Sequence, residues 1–110
     1  MKIGILGAET WVMALARMLS NSDHSVQVWS AISTEIDRLS ATRIQKNLPD
    51  MIIPEAVLFT KKIEEVCTDK DILVFAVPSI FVRATAKQAN PFIKMVKLLL
   101  MWGRALKRKL

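Results

Sequence analysis

The residues that could do chemistry gather around Gly7. It closes the apolar run Ile3-Gly4-Ile5-Leu6 and precedes Ala8-Glu9-Thr10-Trp11, where a helical pattern begins. A glycine at that junction lets the backbone turn sharply, because it takes positive φ without steric cost. Such a turn aims the free N–H groups and the positive dipole end of a helix at one point, which suits a pyrophosphate. Seating a dinucleotide is the chemistry this spacing offers. A complete G-x-G-x-x-G pattern would also have glycine where this chain has Glu9 and Val12. Glu9 puts a negative charge where a dianion would sit. At ~4 Å each charge pair costs about 1 kcal/mol in water-like surroundings, and ~4 at an effective dielectric of 20. Val12 is a milder, steric departure. Elsewhere the polar residues form no catalytic constellation and no metal-ligand set. His24 stands alone and reads as a turn histidine, and Glu64-Glu65 neighbour Lys61-Lys62 as a solvated face.

The elements that must position Gly7 follow in order. Ile3, Ile5 and Leu6 suit a parallel strand buried on both faces. From Trp11, the positions Leu15, Met18 and Leu19 recur at helical spacing with Arg17 facing away. Asn21-Ser22-Asp23-His24 stops that helix, with Asp23 at the left-handed cap position that glycine usually takes. Ser25 to Trp29 is a second strand. At its end an acid would hold ribose hydroxyls and an arginine would take a 2′-phosphate. Ser30-Ala31-Ile32 supplies neither, so the choice between NAD and NADP stays open.

A helix is expected from Ser33 to about Lys46, capped by Ser33 or Thr34 with Asp37 three residues after Thr34, and with Ile36, Leu39, Arg43 and Ile44 at the turn period. Leu48 to Pro54 reads as a loop, Val57 to Thr60 as a short strand, and Lys61 to Cys67 as a small helix. Asp69 to Ala76 is the clearest central strand, stopped by Pro78. Ser79 then caps a helix to about Asn90, with Phe81, Val82, Thr85 and Ala86 inward. The Val77-Pro78-Ser79 loop lies at a strand's carboxyl end, where open α/β sheets bind ligands. The fold class is therefore α/β, a Rossmann-like parallel sheet flanked by helices, incomplete, with a basic C-terminal helix.

Bulk properties agree with one folded domain: 110 residues, 52% of them hydrophobic. The single cysteine, Cys67, permits no internal disulfide and fits the reducing cytoplasm. The start has no signal-peptide pattern, and no long uncharged apolar run suggests a membrane span. The net charge of +6 is uneven. Residues 1–90 hold ten Lys/Arg and ten Asp/Glu, whereas residues 91–110 hold six Lys/Arg and no acid. The expected division is a partial Rossmann-type domain over 1–93 and a basic amphipathic tail over 94–110. Met95, Leu99, Trp102 and Leu106 would share one helical face, with Lys94, Lys97, Arg104 and Arg108 on another. Such a helix suits an anionic membrane surface, a groove on another protein, or the unfinished edge of the sheet. Towards nucleic acid it offers non-specific phosphate contact only.

Four segments in order carry a wider resemblance. Ile3 to Ala16 resembles the opening of the bacterial NAD(P)-dependent glycerol-3-phosphate dehydrogenases, which typically read G-A-G-S-W-G-T-A-L-A. His24-Ser-Val-Gln-Val-Trp29 is similar to that family's G-H-x-V-x-x-W. Asn47-Leu-Pro-Asp-Met-Ile-Ile-Pro54 is similar to its N-x-x-Y-L-P-x-x-x-L-P, and Asp71 to Ser79 to its D-x-I-x-x-A-V-P-S. The resemblance covers residues 1 to about 93. It implies a nicotinamide dinucleotide, NAD or NADP, framed by Gly7, Thr10 and Trp11 at the pyrophosphate, Ser30 and Ala31 by the adenosine, and Pro78 by the nicotinamide. The implied reaction is hydride transfer between the cofactor and the glycerol 3-phosphate/dihydroxyacetone phosphate pair. The family's catalytic Lys would lie in a later helical domain, so no residue here is assigned a catalytic role and this chain alone is expected to be inactive. The alternative is a non-catalytic remnant or interaction protein acting through its basic tail.

After Pro91-Phe92-Ile93 the family continues into a strand and K-G-I-E. Codons permitted for Lys94 to Leu110, read from the third base, include a set that spells D-G-Q-I-I-V-D-V-G-K-G-I-E-A-E-T. A reading-frame shift near Lys94 is the expected origin of the tail, and the nucleotide sequence tests it.

Overall fold

The computed structural model describes residues 1–45, 47–77, 79–92 and 97–100. In chain order the elements are β1 (Lys2–Leu6), α1 (Thr10–Asn21), β2 (Ser25–Trp29), α2 (Ser33–Thr42), β3 (Ile44–Gln45), β4 (Leu48–Ile52), β5 (Leu58–Thr60), α3 (Ile63–Cys67), β6 (Ile72–Phe75), α4 (Val82–Ala89) and β7 (Lys97–Leu100). A 3-10 turn, Ser79–Phe81, leads into α4 and another, Asn90–Phe92, follows it.

Alternation along the strands decides the layering. In β1, Ile3 and Ile5 point to one face and Leu6 to the other; Val26 and Val28 against Trp29 repeat this in β2, and Val74 against Leu73 and Phe75 in β6. Both faces of the sheet are therefore apolar, as in strands covered on each side by helices. The first face packs on Val12, Met13 and Ala16 of α1, Leu39 of α2, and Ile53 and Val57. The second packs on Val66 and Cys67 of α3 and Ala89 of α4. The strand order is β5-β2-β1-β6-β7, and every neighbouring pair is parallel. Ile3 sits opposite Val26 on one side and Ile72 on the other, so β1 occupies the centre as its apolar run requires.

Gly4 permits the second layer. A Cβ there would lie 2.1 Å from the Val66 carbonyl oxygen and 2.8 Å from Leu73 Cδ2. Helix α3 can approach β1 closely only because that side chain is missing.

Two strand-to-helix turns are built alike. Ser30 Oγ accepts from the Ile32 N–H at 3.1 Å and donates to Glu35 Oε1 at 2.7 Å. Thr60 Oγ1 accepts from the Lys62 N–H at 3.1 Å and donates to Glu65 Oε2 at 2.6 Å. Each hydroxyl folds the loop after a strand and ties it to a glutamate in the first turn of the next helix.

Several expectations are corrected. The buried face of α1 is Val12, Met13 and Ala16, with Leu15 and Leu19 beside them, while Met18 is exposed. Helix α2 ends at Thr42, because Arg43 takes a left-handed backbone (φ 59). The Arg43 guanidinium then donates to the Pro54 and Val57 carbonyls and stands 5.1 Å over the Phe59 ring, clamping the following segment. The expected loop after it contains instead the antiparallel pair β3–β4. Neither Ser33 nor Thr34 caps α2, whose N-cap is Ile32, and α4 starts at Val82 with Ala89 buried and Ala86 exposed. Asp23 does take the left-handed conformation (φ 66). The tail was expected to be helical, but Lys97–Leu100 runs as a strand that continues the same sheet beside β6. Residues 101–110, with Trp102, Arg104, Leu106 and Arg108, lie outside the described residues. Among the described residues no helix is long and apolar enough to cross a membrane.

Cys67 gives the core a pH signature. Burial pushes its thiol from 9.0 up to about 11, with Lys70 nearby opposing the shift. The unfolded chain ionises first, so the folded state's advantage is whole below pH 9.0 and fades as pH climbs to about 11. The loss amounts to roughly 2–3 kcal/mol. Because Lys70, held below its usual range, titrates there with the opposite sign, denaturant melts of the unaltered chain compared with Cys67→Ala should isolate the decline.

Candidate functional site

The chain builds β2 on one side of β1 and then crosses to build β6 on the other, so the connections diverge at the carboxyl ends of these strands. In open α/β sheets that divergence leaves a crevice for a ligand. Gly7 lies in it. Its N–H donates to the Trp29 carbonyl at 2.7 Å, which fastens the turn to the end of β2. Its φ is +138, and a Cβ would stand 2.5 Å from the Ala76 carbonyl oxygen. Both the conformation and the space demand glycine.

A cavity of about 190 Å³ opens beside it. Gly7 and Ala8 form the floor, Ser30, Ala31 and Ile32 one wall, and Val77 and Phe81 the other. Glu9 and Glu35 also line it, and no Lys or Arg does among the described residues. Glu9 is the N-cap of α1 in extended backbone, but its side chain makes no capping hydrogen bond. The first-turn N–H groups of α1 are therefore not held by their own cap and remain available to an anion.

Of the expected site residues, Gly7, Ser30 and Ala31 come together around this cavity. Thr10 and Trp11 stand on the first turn of α1 without lining it. Thr10 Oγ1 instead accepts from Asn47 Nδ2 at 3.0 Å, tying the β3–β4 turn to the helix start. Trp11 is 37% exposed. Pro78 lies outside the described residues. The residue that sequence reasoning missed is Glu35, whose signal was a serine ending a strand with a glutamate five positions later.

A larger cavity, about 440 Å³, lies at the opposite end of the sheet among Lys2, Ser25, Leu58, Thr68 and Lys70. Burial holds the Lys70 ammonium below its usual range. Its Nζ donates to the Glu65 and Thr68 carbonyls, both at 3.0 Å, so it closes the end of α3. His24 Nδ1 stands 3.1 Å from the Met1 amino group, a partner remote in the chain rather than a local one.

The cavity beside Gly7 lies at the switch point where a nicotinamide dinucleotide would lay its pyrophosphate and adenosine ribose. The glycine cradle, the uncapped helix start and the wall of Ser30, Ala31 and Ile32 meet there, with the carboxylates of Glu9 and Glu35 opposing an anion. A family model described as the N-terminus of NAD-dependent glycerol-3-phosphate dehydrogenase matches residues 2–108. A glycerol-3-phosphate dehydrogenase (NAD(P)+) of Lactobacillus delbrueckii subsp. bulgaricus is 66% identical over 92 residues, which are 84% of this chain and 27% of that protein. The glycerol-3-phosphate dehydrogenase (NAD(P)+) of Agathobacter rectalis is 44% identical over 95 residues, 84% of this chain and 28% of that protein. Among solved structures, glycerol-3-phosphate dehydrogenase from Coxiella burnetii superposes with a TM-score of 0.81 at 26% identity, covering 93% of this chain and 31% of that one. The chain thus spans under a third of the length of these relatives.

Proposed function

Since the chain belongs to the NAD-dependent glycerol-3-phosphate dehydrogenase family, as its NAD(P)-binding N-terminal domain, we propose that it seats the nicotinamide dinucleotide for hydride transfer between glycerol 3-phosphate and dihydroxyacetone phosphate. One observation carries the reading. Gly7, at φ +138 under the Ala76 carbonyl, opens the switch-point cleft to backbone approach at the start of α1. The cofactor, when bound, supplies the hydride. Gly7 and the first turn of α1 hold its pyrophosphate, Ser30 and Ala31 flank the adenosine, and Val77 and Phe81 wall the far side.

Reducing a ketone also needs a proton donor, and a phosphorylated substrate needs cations. Among the described residues the cleft presents no Lys, Arg or His for either task. These residues therefore supply cofactor binding and leave turnover to residues beyond them. Free Cys67 agrees with a cytoplasmic setting. An interaction protein working through a basic tail helix gains no support from Lys97–Leu100, which forms a strand.

Titration of the purified chain with NADH and NADPH, read by cofactor fluorescence, tests the proposal. Saturable binding without oxidation of NADH when dihydroxyacetone phosphate is added is the expected result. A folded chain that binds neither cofactor would refute it.

A further inference from the structure

We propose that Glu35 sets cofactor choice, its carboxylate receiving the adenosine ribose hydroxyls and repelling a 2′-phosphate, so that NAD(H) is favoured over NADP(H). This rests on the dinucleotide reading above and goes beyond it. Ser30 and Ala31, the residues directly after β2, cannot discriminate by themselves. A serine hydroxyl both donates and accepts, so it tolerates a ribose hydroxyl or a phosphate, and alanine has no polar group. The structure brings a third residue to that place. Glu35, from the first turn of α2, lines the same cavity as Gly7, Ser30 and Ala31.

Its position is held. Ser30, only 8% exposed, donates to Glu35 Oε1 at 2.7 Å while its own oxygen is fixed by the Ile32 N–H at 3.1 Å. Oε2 makes no hydrogen bond among the described residues, which leaves an acceptor for a hydroxyl. An ionised carboxylate accepts hydrogen bonds only, so it rewards a diol and penalises a phosphate. No Lys or Arg lines the cavity among the described residues, and Glu9 adds a second charge of the same sign. Lys61 does not line the cavity and pairs with Asp37 at 2.7 Å.

The twin arrangement at Thr60 and Glu65 separates structure from recognition. It has the same hydrogen bonds, yet Glu65 does not line the cleft beside Gly7. The clamp itself is a loop-building device, and placement at the switch point is what turns Glu35 towards the ligand.

The test measures NADH and NADPH affinities of the full chain and of Glu35→Gln, Glu35→Arg, Ser30→Ala and Glu65→Gln. The unaltered chain should prefer NADH by about tenfold or more, as one uncompensated carboxylate beside a dianion requires. Glu35→Gln should erase most of that ratio and Glu35→Arg should turn it towards NADPH. Ser30→Ala, which frees the carboxylate from its anchor, should narrow it in part. Glu65→Gln loosens an equivalent clamp and should lower thermal stability with the ratio unchanged. Equal affinities in the unaltered chain, or a ratio that survives Glu35→Gln, would overturn the assignment while the dinucleotide site stands. If neither cofactor binds, both readings fall together.

Discussion

Gly4→Ala is expected to remove a large share of the chain's stability. The new Cβ would sit 2.1 Å from the Val66 carbonyl oxygen and 2.8 Å from Leu73 Cδ2. Leu73 can turn aside, but the carbonyl belongs to the backbone of α3 and moves only with the helix. Lifting α3 uncovers Val66 and Cys67, both essentially buried, and parts the second layer from β1. Overfilling a packed core costs about 1–3 kcal/mol when side chains alone must adjust, and more when backbone must. A loss of about 3 kcal/mol or more is the expected outcome, out of a total near 5–15 for a domain of ordinary stability. At about 4–8 °C per kcal/mol for a domain near this size, the melting temperature should drop by more than ~12 °C. Thermal melts followed by circular dichroism measure this directly. A variant melting within a few degrees of the parent would mean that α3 does not lie against β1 as described.

Glu9→Gly should tighten dinucleotide binding by about tenfold or more. The side chain is exposed and lines the cleft, so it interacts with a bound pyrophosphate through partly aqueous surroundings. Relief of about 1–4 kcal/mol per close charge pair is the relevant range; its lower end gives about fivefold for one pair and more than about tenfold when both pyrophosphate charges lie close. The fold should hardly notice: Glu9 has φ −69 and ψ 169 and makes no side-chain cap, and glycine at an N-cap differs little from the preferred residues. Higher salt should shrink the gain, since the effect is electrostatic and solvent-facing.

The second missing glycine behaves in the opposite way. Val12 is 0% exposed and packs in the first-face core with Ile3, Ile5 and Ala16. Val12→Gly would forfeit about 1.5–3 kcal/mol of burial and a few tenths more of helix propensity. The doubly substituted chain should therefore bind no better than Glu9→Gly and melt earlier. Here the structure corrects the view of Val12 as a defect in the glycine pattern: it is a core residue of this version of the turn. Isothermal titration of the two single variants would separate the effects.

The parts of the fold that could be read from residue order are those fixed by local chemistry. The apolar runs of β1, β2 and β6 had to be buried on both faces, and Ile3 and Gly4 accordingly pair with Val26 and Leu73. Gly7 could be read as the turn because no other residue suits it, and Ser30 and Ala31 could be placed because they follow the second strand. What escaped depends on partners remote in the chain. The close approach at Gly4 is visible only once α3 is folded back onto β1. The inward face of α1 was misjudged because Trp11 and Met18 fit the helical period as well as Val12, Met13 and Ala16 do; the direction of the sheet chooses between them. Arg43 continued the period of α2 but stops it, since its side chain is used on the Pro54 and Val57 carbonyls. In the tail, Leu99 fitted a helical face, yet the short apolar run Leu98-Leu99-Leu100 suits a strand as well, and such runs do not distinguish these. Glu35 was overlooked because its contact with Ser30 depends on where α2 begins.

The central place of β1 also governs how the chain can be made. The first strand to leave the ribosome acquires one flank quickly, when β2 follows through α1. Its other flank waits for β6, after roughly forty further residues, or a few seconds at about 5–20 residues per second. Until then the open hydrogen-bonding edge of β1 invites strangers, so nascent chains stalled before Ile72 should be the aggregation-prone species, and those long enough to deliver β6 should stay dispersed.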